Sequence, residues 1–320
     1  MRRRPMTGSR ILALGHYQPG KVLTNDELAT FVDTSDEWIR SRVGIRTRHV
    51  AAGDETVDMM AAHAAAKALA GAGTKAEDVD LVMVATCTAE HRVPNMAARV
   101  AERLGIPAPA AIDVNVACSG FSHALAQADH ALRAGAASRA LVIAAEKLTG
   151  VTDWQDRSTA VLTGDGAGAA VVAPADGPGE PGIGPVVWGS APEMGSAVRI
   201  EGTPAVFAQE GQAVYRWAIK ELPPIARAVC ERGGVAPGDL AAIVLHQANL
   251  RIIEPLARSL GAPQAVVATD VTASGNTSAA SVPLAFSKLV ARGEVESGAP
   301  VLLFGFGGNL SYAGQVVRCP

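Results

Sequence analysis

The chain has 320 residues, 48% hydrophobic and only 4% aromatic, with 33 glycines and a formal net charge of −3. That length suits about two ordinary domains or one large duplicated one, with room for a sizeable core. The balanced charge, without any aromatic and basic stretch, gives no reason to expect nucleic acid, and no apolar run reaches the roughly 20 residues of a membrane span.

In chain order, residues 1–5 are basic but no apolar core follows them. A floppy tail is expected there, with Met6 as an alternative start. Residues 10–15 predict a first strand. Residues 24–31 predict a short helix capped by Thr24 or Asn25, and Thr34 opens another that carries Trp38, Arg40 and Arg42. An Ala-rich helix is expected over 56–71, a strand buried on both faces over 81–86, and a helix closed by glycine over 95–105. Residues 111–116 read as a short buried strand. After Ala117-Cys118-Ser119-Gly120, the residues Phe121, Leu125, Ala128 and Leu132 recur at helical spacing until Gly135. A further buried strand is expected over 140–145, a glycine turn running into a strand over 163–172, and a linker over 174–184.

The pattern then recurs. Gly73 and Asp78 precede the strand at Leu81; Gly234 and Asp239 precede an apolar run over 241–245. The helices that follow end in Leu104-Gly105 and Leu260-Gly261. A strand is read over 265–269, and Asn276 heads a helix of small residues. Cys118 stands 40 residues after Asp78, and Asn276 stands 37 after Asp239. An internal duplication is therefore expected, with Cys118 and Asn276 facing each other across a pseudo-twofold axis. The halves would be residues 1–176 and 177–320. Alternating strands and helices imply an α/β fold of mostly parallel central sheets covered by helices.

Four positions carry chemistry. Cys118 falls where a strand turns into a helix, and the free N–H groups there favour negative charge. Its thiol is expected to lose its proton more easily and act as a nucleophile. A buried structural cysteine is the ordinary alternative. His246 follows a buried strand, at the strand end where open α/β sheets hold ligands; a core histidine is its alternative. Asn276 lies on a turn entering a helix, as an amide donor or simply a cap. Gly305-Phe306-Gly307-Gly308-Asn309 follows another strand. It is either a tight turn or a set of N–H groups brought close to a substrate oxygen. The four cysteines, Cys87, Cys118, Cys230 and Cys319, contain no CxxC pair, which fits a reduced, cytoplasmic protein. The seven histidines show no HExxH or paired Cys/His spacing, so no metal site is expected.

Asp33-Thr-Ser-Asp-Glu-Trp-Ile39, Gly164-Asp-Gly-Ala-Gly168, His246-Gln-Ala-Asn-Leu-Arg-Ile-Ile253 and Gly275-Asn-Thr-Ser-Ala-Ala-Ser281 closely resemble β-ketoacyl-acyl carrier protein synthase III, from about Arg10 to the end of the chain. The resemblance implies a thiolase-like fold, a homodimer and a cytoplasmic acyltransferase without metal or redox cofactor. It implies decarboxylative condensation of an acyl-CoA starter with malonyl-acyl carrier protein, initiating fatty acid synthesis. By the same resemblance Cys118 is the acylated nucleophile, and His246 and Asn276 form the decarboxylation site. The N–H groups of Cys118 and Gly308 make the oxyanion hole. Trp38 with Arg157 clamps the CoA adenine, and Thr34, Arg42, Gly211, Ala248 and Asn249 fall at other CoA positions. Arg216 and Arg251 meet phosphates or the acidic carrier protein, and Cys87, Val93, Leu148 and Thr163 border the acyl pocket.

Three departures from the family stand out. Asn309 replaces a frequent third glycine. Thr163 and Val93 replace bulky aromatics. The stretch 189–209 is short. A pocket roomier or more polar than acetyl needs is expected. Priming of a polyketide or other specialised pathway, acyl transfer to another acceptor, a silent duplicated subunit and a Cys-His-Asn hydrolase are the competing readings. Retention of Cys118 argues against the silent subunit. The duplicated layout, and the absence of a papain-like Cys-Gly-Ser-Cys-Trp pattern, argue against the hydrolase.

Overall fold

The computed structural model describes residues 8–175 and 182–320. The basic tail, the half boundary at 176/177 and much of the expected linker lie outside the described residues. The chain opens on β1 (Ser9–Tyr17), then a hairpin of β2 (Lys21–Thr24) and β3 (Thr47–Val50) with two short helices, α1 (Asn25–Leu28) and α2 (Asp36–Val43), between its strands. Then come α3 (Val57–Ala72), β4 (Leu81–Ala85), α4 (Met96–Leu104), β5 (Ala110–Val114), α5 (Gly120–Arg133) and β6 (Ala140–Lys147). The one-turn α6 (Arg157–Ala160) and β7 (Asp165–Pro174) close the first half. The second half runs through β8 (Val187–Ser190), a hairpin of β9 (Val198–Glu201) and β10 (Val206–Gln209), the long α7 (Gly211–Arg232), β11 (Ala242–Leu245) and α8 (Leu250–Leu260). It ends with β12 (Val266–Val267), the one-turn α9 (Val271–Ser274), α10 (Ser281–Ala291), β13 (Pro300–Phe306) and β14 (Ser311–Arg318).

The two halves repeat one topology. The first five-stranded sheet has the order β1-β7-β6-β4-β5, the second β8-β14-β13-β11-β12. In each, the second strand runs antiparallel to both of its neighbours and the other four point the same way. The sheets are thus mostly parallel in direction, as expected, with one antiparallel strand, β7 or β14, that follows β6 or β13 without a long helical crossover. Helices α5 and α10 lie between the sheets. Phe121, Leu125 and Leu132 of α5 and Val282, Phe286 and Leu289 of α10 share one core with Met83, Val142, Val244 and Leu303 of the strands. Helices α3 and α4 cover the outer face of the first sheet, and α7 and α8 cover the outer face of the second.

Local sequence explains most of these elements. Asn95 and Asn249 accept hydrogen bonds from the third helical N–H of α4 and α8, and Gly105 and Gly261 close those helices at φ 66 and 71. Two expectations are corrected. β5 is an edge strand, with Ile112 43% exposed, rather than a buried one. The glycines over 164–168 lie largely within β7 instead of forming a turn. A Cβ at Gly168 would fall 2.6 Å from the backbone nitrogen of Leu284, so glycine there lets α10 press against the sheet.

The repeat also corrects the expected symmetry. Cys118 and Ala279 stand 40 residues beyond Asp78 and Asp239, whereas Asn115 and Asn276 stand 37 beyond them. Single turns of 3-10 helix, Ala117–Ser119 and Ser278–Ala280, precede α5 and α10. Each opens on a left-handed residue, Ala117 at φ 44 and Ser278 at φ 46. The counterpart of Cys118 is thus Ala279, and that of Asn276 is Asn115. Both helix starts still converge: a Cβ on Gly120 would lie 3.2 Å from that of Ala279.

Candidate active site

Cys118 sits on the turn between β5 and α5. The left-handed Ala117 costs roughly 1 kcal/mol or more, and it turns the chain sharply so that the cysteine faces a cleft. Gly307 takes φ 150, and a Cβ there would lie 2.8 Å from Cys118 Sγ, so only glycine lets the turn after β13 approach the sulfur. Burial pushes the Cys118 thiol above its ordinary value, and the nearby Glu146 carboxylate adds to this; the N–H of Gly308, the Ser278 hydroxyl and the N–H of Cys118 itself oppose them. The expected acidification at the helix start is therefore outweighed. Cys118 is half-buried by surface because it faces the cleft, yet protein surrounds the sulfur on its other sides, and that desolvation sets the direction.

His246 lies one residue past β11. Its N–H donates to Phe304 O at 2.8 Å, its ring meets Phe306 edge-on at 5.5 Å, and its Nδ1 is 2.7 Å from Ser281 Oγ. This leaves Nε2 for the cleft. Only 2% exposed, His246 is driven by burial down to about 3, and its ring stays neutral. Asn276 follows Gly275, which is at φ 70. Its N–H donates to Leu162 O at 2.7 Å, its carbonyl accepts from Gly164 N at 2.9 Å, and Oδ1 accepts from Ser278 N at 2.8 Å. The amide NH2 is thereby turned to the cleft.

Cys118, His246, Asn276, Gly307 and Gly308 line one cleft of about 510 Å³. Trp38, Arg42, Gly211, Arg216, Ala248, Asn249 and Arg251 line the same cleft toward its mouth. The Arg157 guanidinium stacks 4.7 Å above Trp38 and donates to Asp33 O at 2.9 Å. Arg251 lies 5.5 Å over Tyr215. Asn249 uses its Oδ1 to cap α8. Thr34 is half-buried and stands outside the cleft lining.

On the other side of Cys118 a second cavity of about 380 Å³ is lined by Cys87, Asn115, Leu148, Val198, Arg199, Ile200, Phe207, Ser278 and Asn309. Two expected pocket residues are absent from it. Val93 is 88% exposed, on the loop leaving β4 beside the exposed Glu90, His91 and Arg92. Thr163 is fully buried, with its hydroxyl 2.8 Å from that of Thr152. Asn309 sits at φ 59, a conformation Asn tolerates well, so the glycine-poor turn keeps Gly308 in place.

Three side chains of the site were not singled out from sequence: Ser278, Ser281 and Glu146. The serines lie inside the quoted 275–281 motif. Glu146 had a readable signal, a lone acid closing the apolar run of β6.

Residues 112–192 match 3-oxoacyl-[acyl-carrier-protein (ACP)] synthase III, and residues 230–319 match its C-terminal part. The chain is 73% identical over 315 residues to beta-ketoacyl-[acyl-carrier-protein] synthase III 2 of Streptomyces avermitilis, covering 98% of this chain and 100% of that one. It is 72% identical over 314 residues to synthase III 4 of Streptomyces coelicolor, covering 98% and 99%. Among solved structures, the priming beta-ketosynthase of the R1128 polyketide pathway superposes with a TM-score of 0.96 at 41% identity, over 100% of this chain and 98% of that one. The Aquifex aeolicus 3-oxoacyl-[acyl-carrier-protein] synthase III gives 0.93 at 38% identity, over 97% and 100%.

Proposed function

The chain belongs to the 3-oxoacyl-[acyl-carrier-protein] synthase III family, and from that premise we propose how its residues divide the work: Cys118 takes the starter, and His246 and Asn276 condense it. The activity is ketosynthase III condensation, an acyl transfer that joins an acyl-CoA starter to malonyl-acyl carrier protein with loss of CO2 and CoA. The observation that carries the division of roles is the convergence of Cys118, His246, Asn276 and Gly308 on one cleft.

Cys118 attacks the thioester and splits one hard step into two. The N–H groups of Cys118 and Gly308 receive the oxyanion. Malonyl thioester then enters the emptied cleft. As CO2 leaves, charge builds on the thioester oxygen, and neutral His246 and the Asn276 NH2 donate to it. The resulting carbon nucleophile attacks the acyl group on Cys118. No metal or redox group has a part in this sequence.

The acyl chain occupies the cavity lined by Cys87 and Leu148. CoA lies along the cleft from Trp38 and Arg157 to Ala248 and Asn249, with Thr34 and Arg42 beside it, and Arg216 and Arg251 at the mouth meet phosphate or the acidic carrier protein. A homodimer is supported by the open edge of β5, which carries exposed Ile112, since unpaired edges invite pairing. The cytoplasm is the compartment in this reading, supported by four free cysteines. Among the described residues no helix is long and apolar enough to cross a membrane.

Initiation of fatty acid synthesis is the main reading. Priming of a polyketide pathway is the second, favoured by the likeness to the R1128 priming enzyme. A panel of acyl-CoAs offered with malonyl-acyl carrier protein, read by mass spectrometry, tests both. A β-ketoacyl product two carbons longer than the starter is expected; no such product from any starter would overturn the proposal.

A further inference from the structure

The turn that carries Gly308 is strained, and a pair of buried serines ties it to the turn that carries Cys118. Between β13 and β14 the backbone takes a positive φ at Gly307 (150), Asn309 (59) and Leu310 (42). Glycine and asparagine accept such angles; a leucine does so only where its surroundings hold it. What holds this turn is Ser311, the first residue of β14. Its N–H and its Oγ, the latter at 2.7 Å, both donate to Gly308 O. Its own carbonyl accepts from Gly307 N at 3.1 Å.

Ser311 Oγ also lies 2.8 Å from Ser119 Oγ. Ser119 follows Cys118 and ends the single turn of 3-10 helix over Ala117–Ser119. Its Oγ is 3.0 Å from Val116 O. Each hydroxyl has one proton, so two protons serve these three contacts. Val116 O already accepts from Ser119 N at 3.3 Å, and the two shorter contacts run from Ser119 to Ser311 to Gly308 O. A hydroxyl that accepts a bond donates a stronger one, and both serines are buried, where water screens such a chain least. The backbones meet as closely. A Cβ on Gly305 would fall 2.9 Å from Ser119 Cα, and one on Gly308 would fall 2.5 Å from Ala117 Cβ. These glycines let the two turns touch, but bare backbone contact does not fix how they are aligned. The serine pair supplies a directed bond between them.

We propose that Ser119 and Ser311 form a clasp that keeps the Gly308 N–H aligned with Cys118, an inference that rests on the N–H groups of Cys118 and Gly308 receiving the oxyanion. Neither serine lines the cleft or the cavity beside Cys118, so both are positioning residues. The clasp serves the steps in which charge builds on the acyl carbonyl oxygen. Those are the attack of Sγ on the thioester and the later attack on the acyl-enzyme. Decarboxylation depends on His246 and Asn276 instead and does not need it. A displaced donor loses more of its hold on the transition state, where the oxygen is charged, than on the substrate.

The test compares wild type, Ser119→Ala, Ser311→Ala and the double variant by two readouts. One is single-turnover acylation over a range of acyl-CoA concentrations, followed by intact mass. The other is release of labelled CO2 from malonyl-acyl carrier protein. Each single variant should acylate roughly tenfold more slowly at saturation, less than the hundredfold or more lost with an oxyanion donor itself. The half-saturating acyl-CoA concentration and CO2 release should stay near wild type. The double variant should be no slower than the slower single, because one clasp is broken either way. A merely structural role would lower both half-reactions together. That result overturns the proposal, as does a folded variant acylating at the wild-type rate, or additive losses in the double variant. Should Ser311→Ala fail to fold, Ser119→Ala, which leaves the bonds within the glycine turn in place, decides by the same split. Gly308→Ala separates the clasp from the reading beneath it, since its Cβ has no room beside Ala117 and should slow acylation at least as much. Normal acylation by Gly308→Ala would refute the oxyanion reading. Slow acylation there, with both serine variants normal, would refute the clasp alone.

Discussion

The backbone N–H of Ser278 donates to the side-chain Oδ1 of Asn276 at 2.8 Å, and this one bond decides which end of the amide faces the cleft. The exposed end is the NH2, a donor suited to an enolate oxygen. Asn276→Asp keeps the shape and the bond from Ser278 but puts a carboxylate where negative charge must build. Release of labelled CO2 from malonyl-acyl carrier protein should fall by roughly a hundredfold or more, while acylation from acyl-CoA persists. Equal loss of both half-reactions would contradict this role.

His246 is held neutral at about 3, so malonyl decarboxylation should show no loss from its protonation between pH 5 and pH 8. His246→Ala should still become acylated but lose decarboxylation by roughly a hundredfold. The same shift bears on stability. A histidine whose folded pKa lies below its unfolded one binds more protons unfolded in that window. Its contribution is therefore complete above about pH 6.5 and is lost as pH falls toward 3, at up to about 1.4 kcal/mol per pH unit. Denaturant titrations across that range should show His246→Phe losing less stability on acidification than wild type.

The cavity beside Cys118, about 380 Å³, should admit four-carbon starters. Butyryl- and isobutyryl-CoA are expected to match or exceed acetyl-CoA in kcat/KM. Leu148 lies on this wall at 2% exposure. Leu148→Phe should reduce four-carbon starters about tenfold relative to acetyl, since one methylene of obstruction is worth about 1 to 3 kcal/mol. Acetyl-CoA outcompeting both longer starters on wild type would refute the roomy-pocket account.

The Arg157 guanidinium stacks 4.7 Å over the Trp38 ring, and under the proposed reading, in which the two clamp the CoA adenine, a bound nucleotide has to separate the pair. Arg157→Ala should raise KM for acyl-CoA several-fold with little change in kcat, the pattern of lost uniform binding. Steady-state kinetics with the carrier protein saturating would check it; a fall in kcat alone would remove Arg157 from CoA binding.

Much of this frame was readable because capping and periodicity are local. Asn95, Gly105, Asn249 and Gly261 mark their helices by side-chain and backbone chemistry alone. The five-residue Gly–Asp spacing disclosed the repeat. What escaped depended on distant partners. Gly166 and Gly168 look like turn residues until α10 is seen lying on β7. β5 looks buried until the sheet order places it at an edge. Helix α7 carries Pro223 and Pro224 in its interior, which hides it from a helical reading, and its burial of Trp217, Leu222 and Val229 outweighs the loss. At the site, Cys118, His246 and Asn276 were legible from strand ends and helix starts. The direction of the Cys118 shift was not, because desolvation depends on everything folded around the sulfur.

The most direct test of the account is peptide mapping after incubation with acyl-CoA, run beside Cys118→Ala. One acyl group per chain, on Cys118, is predicted. Cys230 and Cys319 are buried away from the cleft, and the Cys87 thiol is pushed well above its ordinary value by burial and Glu146. Cys118→Ala should show no adduct and no β-ketoacyl product. A stable acyl group mainly on another cysteine, or condensation surviving in Cys118→Ala, would contradict the mechanism.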